Sequence, residues 1–300
     1  MSNEAAALDR HRPFPLGRIF AITTNTLTDL TRQKVFYFVL IFALVLIGSS
    51  AFVARFSFQQ EFQILKDVSL GTMSIFTSLL AIVATARLIP QDIEDRTVYT
   101  ILAKPVPRFE YLLGKLAGVL LLLAIGTLIM SMLFLAVLYA REQAVLHETV
   151  RQMSAAPRDQ LDDALRAVHA AALNFDIVPA IAIIYLKACL LVALTLFVST
   201  FATTNLFTIV VMVFVYFIGH LQATAREYWL QETSATWLAQ IFLALVALIF
   251  PDLQAFNLVD DVIAGTIIPL GLFAKTAAMG IFYITVYTSL ATVVFYGKEL

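Results

Sequence analysis

The chain has 300 residues, of which 60% are hydrophobic and 14% are charged, and its formal net charge is −1. Soluble domains carry about 25% charged residues, so this composition excludes an ordinary water-soluble fold. The near-zero net charge removes the electrostatic basis for nucleic-acid binding. The single cysteine, Cys189, excludes an intrachain disulfide and a cysteine metal cluster, and we interpret it as an inert buried thiol.

Long runs without a charged side chain recur along the chain and predict membrane-spanning helices. A bilayer core of about 30 Å needs roughly 20 apolar residues of helix. The runs do not alternate between polar and apolar residues, as the strands of a membrane barrel would. They cover residues 35–54, 68–86, 116–140, 188–225 and 276–297. We therefore expect an all-α integral membrane protein.

The first 34 residues are predicted to form a cytoplasmic leader that ends in an amphipathic helix. Between residues 16 and 34, apolar side chains such as Ile19, Phe20 and Leu27 recur at helical spacing, opposite polar ones such as Asn25. This pattern predicts a helix that lies along the cytoplasmic membrane surface and then turns into the first span. The alternative is a simple extension of the first span.

Six spans are predicted, at about residues 35–53, 69–89, 111–139, 178–202, 206–221 and 272–296. A polar break at Thr203-Thr204-Asn205 makes the fourth and fifth spans a tight hairpin. The external loop 140–177 has a helical pattern after Pro157, and 222–271 is predicted to be an external region with a re-entrant element at 237–250. Basic residues in the leader and in the short 87–115 connection place both termini inside. If 237–250 instead crossed fully, there would be seven spans and the C-terminus would lie outside.

The connection between the second and third spans is the most informative segment. Pro90 suits a helix start, Ile93 and Thr97 begin one apolar face, and Pro105 and Pro107 end the pattern. These features predict a short amphipathic cytoplasmic helix over 91–104. Such a helix can transmit movement from a docked protein to two spans at once. An interfacial loop with helical character is the alternative.

The same segment resembles the ABC-2 type permease family, in the branch associated with the maturation of multicopper enzymes, which includes the permease for nitrous-oxide reductase. Between the second and third spans, members of that branch have sequences similar to E-I-E-x-R-T-x-Y-x-L-L-x-K-P-V-x-R-x-E-Y-L-L-G-K. The chain matches at Ile93, Glu94, Arg96, Thr97, Tyr99, Leu102, Lys104, Pro105, Val106, Arg108, Glu110, Tyr111, Leu112, Leu113, Gly114 and Lys115. It departs conservatively at Asp92 and Ile101. Weaker matches at 30–35 and 250–258 extend the resemblance along the chain.

The resemblance implies that 35–300 is an ABC-2 type transmembrane domain in a bacterial or archaeal plasma membrane. Residues 91–104 would be the coupling helix that docks on a separate cytoplasmic ATPase subunit. The docking or bracing residues would be Asp92, Glu94, Arg96, Thr97, Tyr99 and Leu102. The turn into the third span would involve Lys104, Pro105, Arg108, Gly114 and Lys115. Two permease chains would pair, as a homodimer or a heterodimer, and could act on a periplasmic partner.

Several motifs are absent from the sequence. There is no Walker A motif, so we expect no enzyme activity and no cofactor on this chain, with ATP bound by the partner. His147-Glu148 lacks the second histidine of a zinc-protease helix, and no metal or catalytic site is predicted. No acid lies within a predicted span, which disfavours an ion-coupled carrier.

Lys187 is the one ionisable residue that the sequence places well inside a predicted span. It is a possible residue of a polar transport path, although a lysine there more often snorkels to the interface or pairs with a polar neighbour. Two alternatives to an ABC permease remain at this stage. They are a stand-alone secondary carrier or channel, and a non-transporting membrane scaffold.

Overall fold

A computed structural model describes residues 15–54, 60–95, 107–154, 157–172, 176–231, 251–257 and 269–297. These residues contain α-helices and one short 3-10 turn, and no strand occurs among them. The helices are α1 (Pro15–Thr31), α2 (Lys34–Ala54), α3 (Glu61–Ala86), α4 (Leu88–Glu94), α5 (Arg108–Gln152), α6 (Arg158–Ala172), α7 (Ile177–Phe201), α8 (Asn205–Gln231) and α9 (Leu270–Gly297), with the 3-10 turn at Gln254–Phe256.

Six helices of the described part are long and apolar enough to cross a membrane, namely α2, α3, α5, α7, α8 and α9. Their apolar runs have few charges because a backbone in lipid must satisfy its hydrogen bonds within the helix and leave apolar side chains outside. The predicted all-α, multi-pass class is confirmed. The inside location of both termini stays a prediction, because it depends on the membrane and not on the fold.

Several helices continue well beyond the predicted spans. α5 runs to Gln152 rather than residue 139 and is about 68 Å long at 1.5 Å per residue, which is twice the thickness of a bilayer core. α3 begins at Glu61 rather than residue 69, and α8 continues to Gln231. The predicted boundaries stopped at the first charges. In α3 and α5 the helices continue past them, and there Arg141 of α5 binds Glu61 of α3.

The leader helix α1 is separate from the first span. The chain leaves helical structure at Arg32 and Gln33 before α2 begins, so the alternative of one continuous helix is wrong. α1 packs along the start of α5, and its buried side chains there are Thr23, Thr26 and Leu30. A separate helix therefore forms where the sequence predicts one, while its place along the membrane surface stays a prediction.

α7 is the central helix of the bundle. It packs against α3, α5, α8 and α9, and most of its side chains are buried. Because it is apolar on all sides, its sequence is that of a helix enclosed by other helices. A displacement of α3, α5 or α9 would therefore change the packing around α7.

Two segments that the sequence predicts to be external are described in part, and their external location stays a prediction. α6 begins directly after Pro157, as expected. The segment 251–257 folds back on α8, where the Leu253 amide donates to the Gly219 carbonyl at 3.0 Å. The proposed re-entrant element at 237–250 lies outside the described residues.

Candidate coupling site

The described start of the connection between α3 and α5 is the seven-residue helix α4. α4 begins at Leu88, so Pro90 sits within its first turn rather than at its start, where a proline is still tolerated. α4 ends at Glu94, and Asp95 forms its C-terminal turn, so this first helix is shorter than the predicted 91–104. The predicted docking residues Arg96, Thr97, Tyr99 and Leu102, with Lys104 and Pro105, lie outside the described residues.

Asp92 fastens α4 to α5. Its Oδ2 atom lies 2.6 Å from the Lys115 ammonium and also accepts a hydrogen bond from the Tyr111 hydroxyl. The Asp92 and Lys115 side chains are 17% and 7% exposed, so water screens this ion pair weakly. Separating two such charges in a largely buried place is costly, and the contact therefore joins α4 and α5 firmly.

Glycines on α5 allow the leader helix to approach closely. A Cβ atom at Gly114 would lie 2.7 Å from Cβ of Ile22, and one at Gly118 would lie 2.7 Å from Cβ of Thr26. These distances are shorter than van der Waals contact, so α1 can occupy this place only if both positions lack side chains. The Thr23 hydroxyl also donates to the Gly114 carbonyl at 3.2 Å.

A charged pair secures the other half of α1. The guanidinium of Arg18 lies 3.1 Å from the Glu110 carboxylate, and both side chains are largely buried. Glu110 belongs to the first turn of α5. The leader helix is thus bound to the same part of α5 that holds α4.

Arg108 connects the start of α5 to the end of α9. Its guanidinium donates to the backbone carbonyls of Phe295 and Tyr296 at 2.8 and 2.9 Å. These carbonyls belong to the last turn of α9, where they lack partners within the helix. The ring of Tyr111 stacks on that of Phe295 with 5.9 Å between centroids. One turn of α5 therefore contacts α4 and α9.

The structure brings together Asp92, Arg108, Gly114 and Lys115, which the sequence singled out, and places Glu94 on the exposed surface. Gly114 and Lys115 lie inside α5 and not in a turn before it. The sequence analysis missed Gly118, although Gly114 and Gly118 form the G-x-x-x-G spacing typical of close helix packing in membranes. It also missed Arg18, whose partner is 92 positions away.

Lys187 lies away from this site, within the central helix α7. It is 2% exposed, and its ammonium donates to the Ser74 hydroxyl on α3 at 2.5 Å. Lys187 therefore pairs with a polar neighbour and does not extend to the membrane surface. Its role in a transport path stays a prediction.

No curated relative matches the chain significantly. The model of a family described as ABC-2 family transporter protein matches residues 20–300, which include α2 to α9 and most of α1. The narrower branch for multicopper-enzyme maturation stays a prediction. The match extends over nearly the whole chain, and six of the helices described above can cross a membrane. The chain therefore belongs to the ABC-2 family of membrane transporter proteins.

Proposed function

We propose that the chain is the permease subunit of an ABC transporter and that a separate cytoplasmic ATPase drives it. The observation that carries this proposal is the attachment of α4 to α5 through Asp92, next to an exposed acidic end at Glu94 and Asp95. A short helix with one anchored side and one exposed side can receive a docked protein and pass on its movement.

The path of that movement follows the contacts of α5. Force on α4 reaches α5 through Asp92, and it reaches the end of α9 through Arg108. α9 packs along the central helix α7. ATP-driven movement of the partner would therefore tilt α5 and α9 together and change how both pack on α7. Bistable packing of this kind is how small displacements at one site become larger ones elsewhere.

The assembly would contain two permease chains, as a homodimer or a heterodimer, with one ATPase for each. α2, α8 and α9 expose much of their apolar surface in the single chain, including Phe38, Phe214 and Phe282. Lipid and a second permease can both cover such surface. The complex would reside in a bacterial or archaeal plasma membrane and would export a substrate or deliver force to a periplasmic partner.

The first experiment is purification of the tagged chain from its native membranes in mild detergent, followed by mass spectrometry of stoichiometric partners. We expect an ATPase with a Walker A motif, at about one per permease. If gentle crosslinking also recovers no ATPase, the proposal is wrong. Transport by the purified chain alone in liposomes would then establish a stand-alone carrier.

A charge reversal tests the docking surface. Glu94→Arg changes an exposed residue, so the thermal stability should stay the same while the amount of co-purified ATPase falls about tenfold or more. Asp162→Arg is the matched control, because Asp162 is an exposed acid on α6, in the predicted external loop. Equal ATPase recovery from Glu94→Arg, Asp162→Arg and the unchanged chain would contradict docking at α4.

A further inference from the structure

A cavity of about 620 Å³ lies between α1, the turn after it, α4 and α5. Its apolar lining residues are Ala21, Ile22 and Leu30 of α1 and Leu88 of α4. The remaining lining residues are mostly polar or charged. The proposed coupling of α4 to α5 uses one edge of this cavity, the Asp92–Lys115 pair, and leaves the rest of its charges without a role.

The three cationic side chains that line the cavity differ in their hydrogen-bond and ion-pair partners. Lys115 is bound to Asp92. Arg87 donates to the amide oxygen of Gln33 at 3.2 Å, which is a neutral acceptor, and the described residues give Arg32 no carboxylate partner. A guanidinium has five N–H donors in a planar fork that suits a phosphate group. Arg32 and Arg87, which both line this cavity, therefore carry groups suited to a phosphate.

Acidic groups line the same cavity. Asp29 accepts a hydrogen bond from Asn25 at 3.2 Å, and Asp95 is exposed at the end of α4. With the Asp92–Lys115 pair neutralised internally, two cations and two anions remain. A purely anionic ligand would be repelled by the two acids. A ligand with one phosphate and one amine would match both pairs.

A buried hydroxyl adds an unused polar group. Thr26 is 1% exposed, lines the cavity, and its Oγ1 atom has no hydrogen-bond partner among the described residues. A buried hydroxyl without a partner is costly, so a polar ligand in this cavity would relieve it.

The position of the cavity indicates where its ligand comes from. It opens beside the ends of three membrane helices, at the start of α2, the end of α3 and the start of α5. On α1, Leu16 and Phe20 are 68% and 71% exposed. Large apolar side chains on an interfacial helix insert into the acyl boundary of a bilayer. The cavity would then lie at the level of the lipid headgroups.

We propose that this cavity binds the phosphoethanolamine headgroup of a membrane phospholipid, with Arg32 and Arg87 at the phosphate and Asp29 and Asp95 at the amine. The apolar lining residues accommodate the glycerol and the first methylenes of the acyl chains. A bound lipid would bridge α1 and α4, the helix proposed to receive the ATPase. The site shares Asp95 with the exposed end of α4, whereas Arg32, Arg87 and Asp29 lie outside the proposed ATPase contact, and the site does not depend on the identity of the transported substrate.

Native mass spectrometry of the delipidated full chain in mild detergent tests this inference, with titration of phosphatidylethanolamine and phosphatidylglycerol. Phosphatidylethanolamine should bind more tightly than phosphatidylglycerol, because phosphatidylglycerol lacks the amine. Arg32→Gln and Arg87→Gln should each weaken phosphatidylethanolamine binding about tenfold, the effect of losing a charge-assisted contact of roughly 1.4 kcal/mol. Arg87→Lys, which keeps the charge but not the fork, should lose less. Arg166→Gln on the exposed face of α6 is the control and should not change binding.

Two further arms distinguish the source of the phosphate and guard against misfolding. Glycerophosphoethanolamine has the headgroup without acyl chains and should compete poorly. Competition at the same concentration as the lipid would show a site for soluble phosphate esters and overturn the lipid assignment. Thermal unfolding of each variant identifies misfolded protein. If Arg87→Gln is misfolded, Arg87→Lys is used in its place. Unchanged lipid affinity in folded Arg32→Gln and Arg87→Lys, or tighter binding of phosphatidylglycerol, would refute the proposal.

Discussion

Both ends of α5 contain buried charged side chains, but different contacts surround them at the two ends. At the coupling end, defined by α1, α4, the start of α5 and the end of α9, Asp92 pairs with Lys115 beside an open cavity. At the cap end, defined by the start of α3, the last turns of α5 and α6, Arg141 binds Glu61 through two nitrogens at 2.5 and 3.0 Å. Both ends bury charges and neutralise them between helices.

The difference lies in what surrounds the pairs. At the cap end, the ammonium of Lys66 donates to the Ala171 carbonyl, and His169 contacts Glu142, so the contacts converge on α6 and fasten it to α3 and α5. At the coupling end, α1 and α4 each bind α5 but are separated by the cavity. The cap end is therefore suited to a fixed support, and the coupling end has room for α4 to move relative to α1.

The largest expected effect is the loss of the coupling ion pair. Lys115→Met removes the ammonium that neutralises the largely buried Asp92 carboxylate, and should lower the free energy of unfolding by about 3 kcal/mol. Denaturant unfolding in mild detergent measures this. The double variant Asp92→Asn/Lys115→Met removes both charges and should recover most of the loss. If the double variant is as unstable as the single one, lost packing and not the unpaired charge is the cause.

The next effect concerns the close contact of α1 with α5. Gly114→Val would force side-chain atoms into Ile22, and overpacking of this kind costs about 2 kcal/mol or displaces the helix. We expect faster proteolysis within α1 as well as lower stability. Gly48→Val is the matched control, because a Cβ at that position meets no atom within 4 Å. Equal proteolysis in the two variants would mean that the α1–α5 contact is not tight.

The sequence predicts the bundle well because its signal is local. Apolar runs specify which residues can lie in lipid, and the bounds of α2, α7 and α9 agree with the prediction within two residues. The same signal ends at the first charge, and so it missed the last turns of α5. Those turns depend on partners such as Glu61, which is 80 positions from Arg141.

The candidate site shows the same limit. The resemblance assigned Asp92 to the coupling helix and Arg108 and Lys115 to the turn into the third span, but it did not pair Asp92 with Lys115. The contact of Arg108 with the end of α9 joins residues 187 positions apart, and no local pattern encodes it. The glycine spacing at Gly114 and Gly118 did encode the approach of a helix, although not which helix would come.

At the cap end, a smaller loss is expected. Arg141→Gln removes the partner of Glu61, whose side chain is 27% exposed and can recover part of its hydration. The loss in the free energy of unfolding should therefore be about 1–2 kcal/mol, below that of Lys115→Met. Denaturant unfolding of both variants in the same detergent gives the comparison. If Arg141→Gln lowers the free energy of unfolding more than Lys115→Met does, the ion pair at the cap end stabilises the protein more than the one at the coupling end.

The smallest effect is expected at His169. Its side chain is 60% exposed, whereas that of Glu142 is 2% exposed, so the carboxylate depends on a side-chain donor rather than on water. The glutamine of His169→Gln can still donate a hydrogen bond to that carboxylate, so the free energy of unfolding should change by about 0.5 kcal/mol or less. Proteolysis of α6 should be equally slow in the variant and the unchanged chain. If His169→Gln releases α6 to protease while Arg141→Gln does not, the cap is held mainly by the histidine. The cap end would then be a detachable element rather than a fixed support.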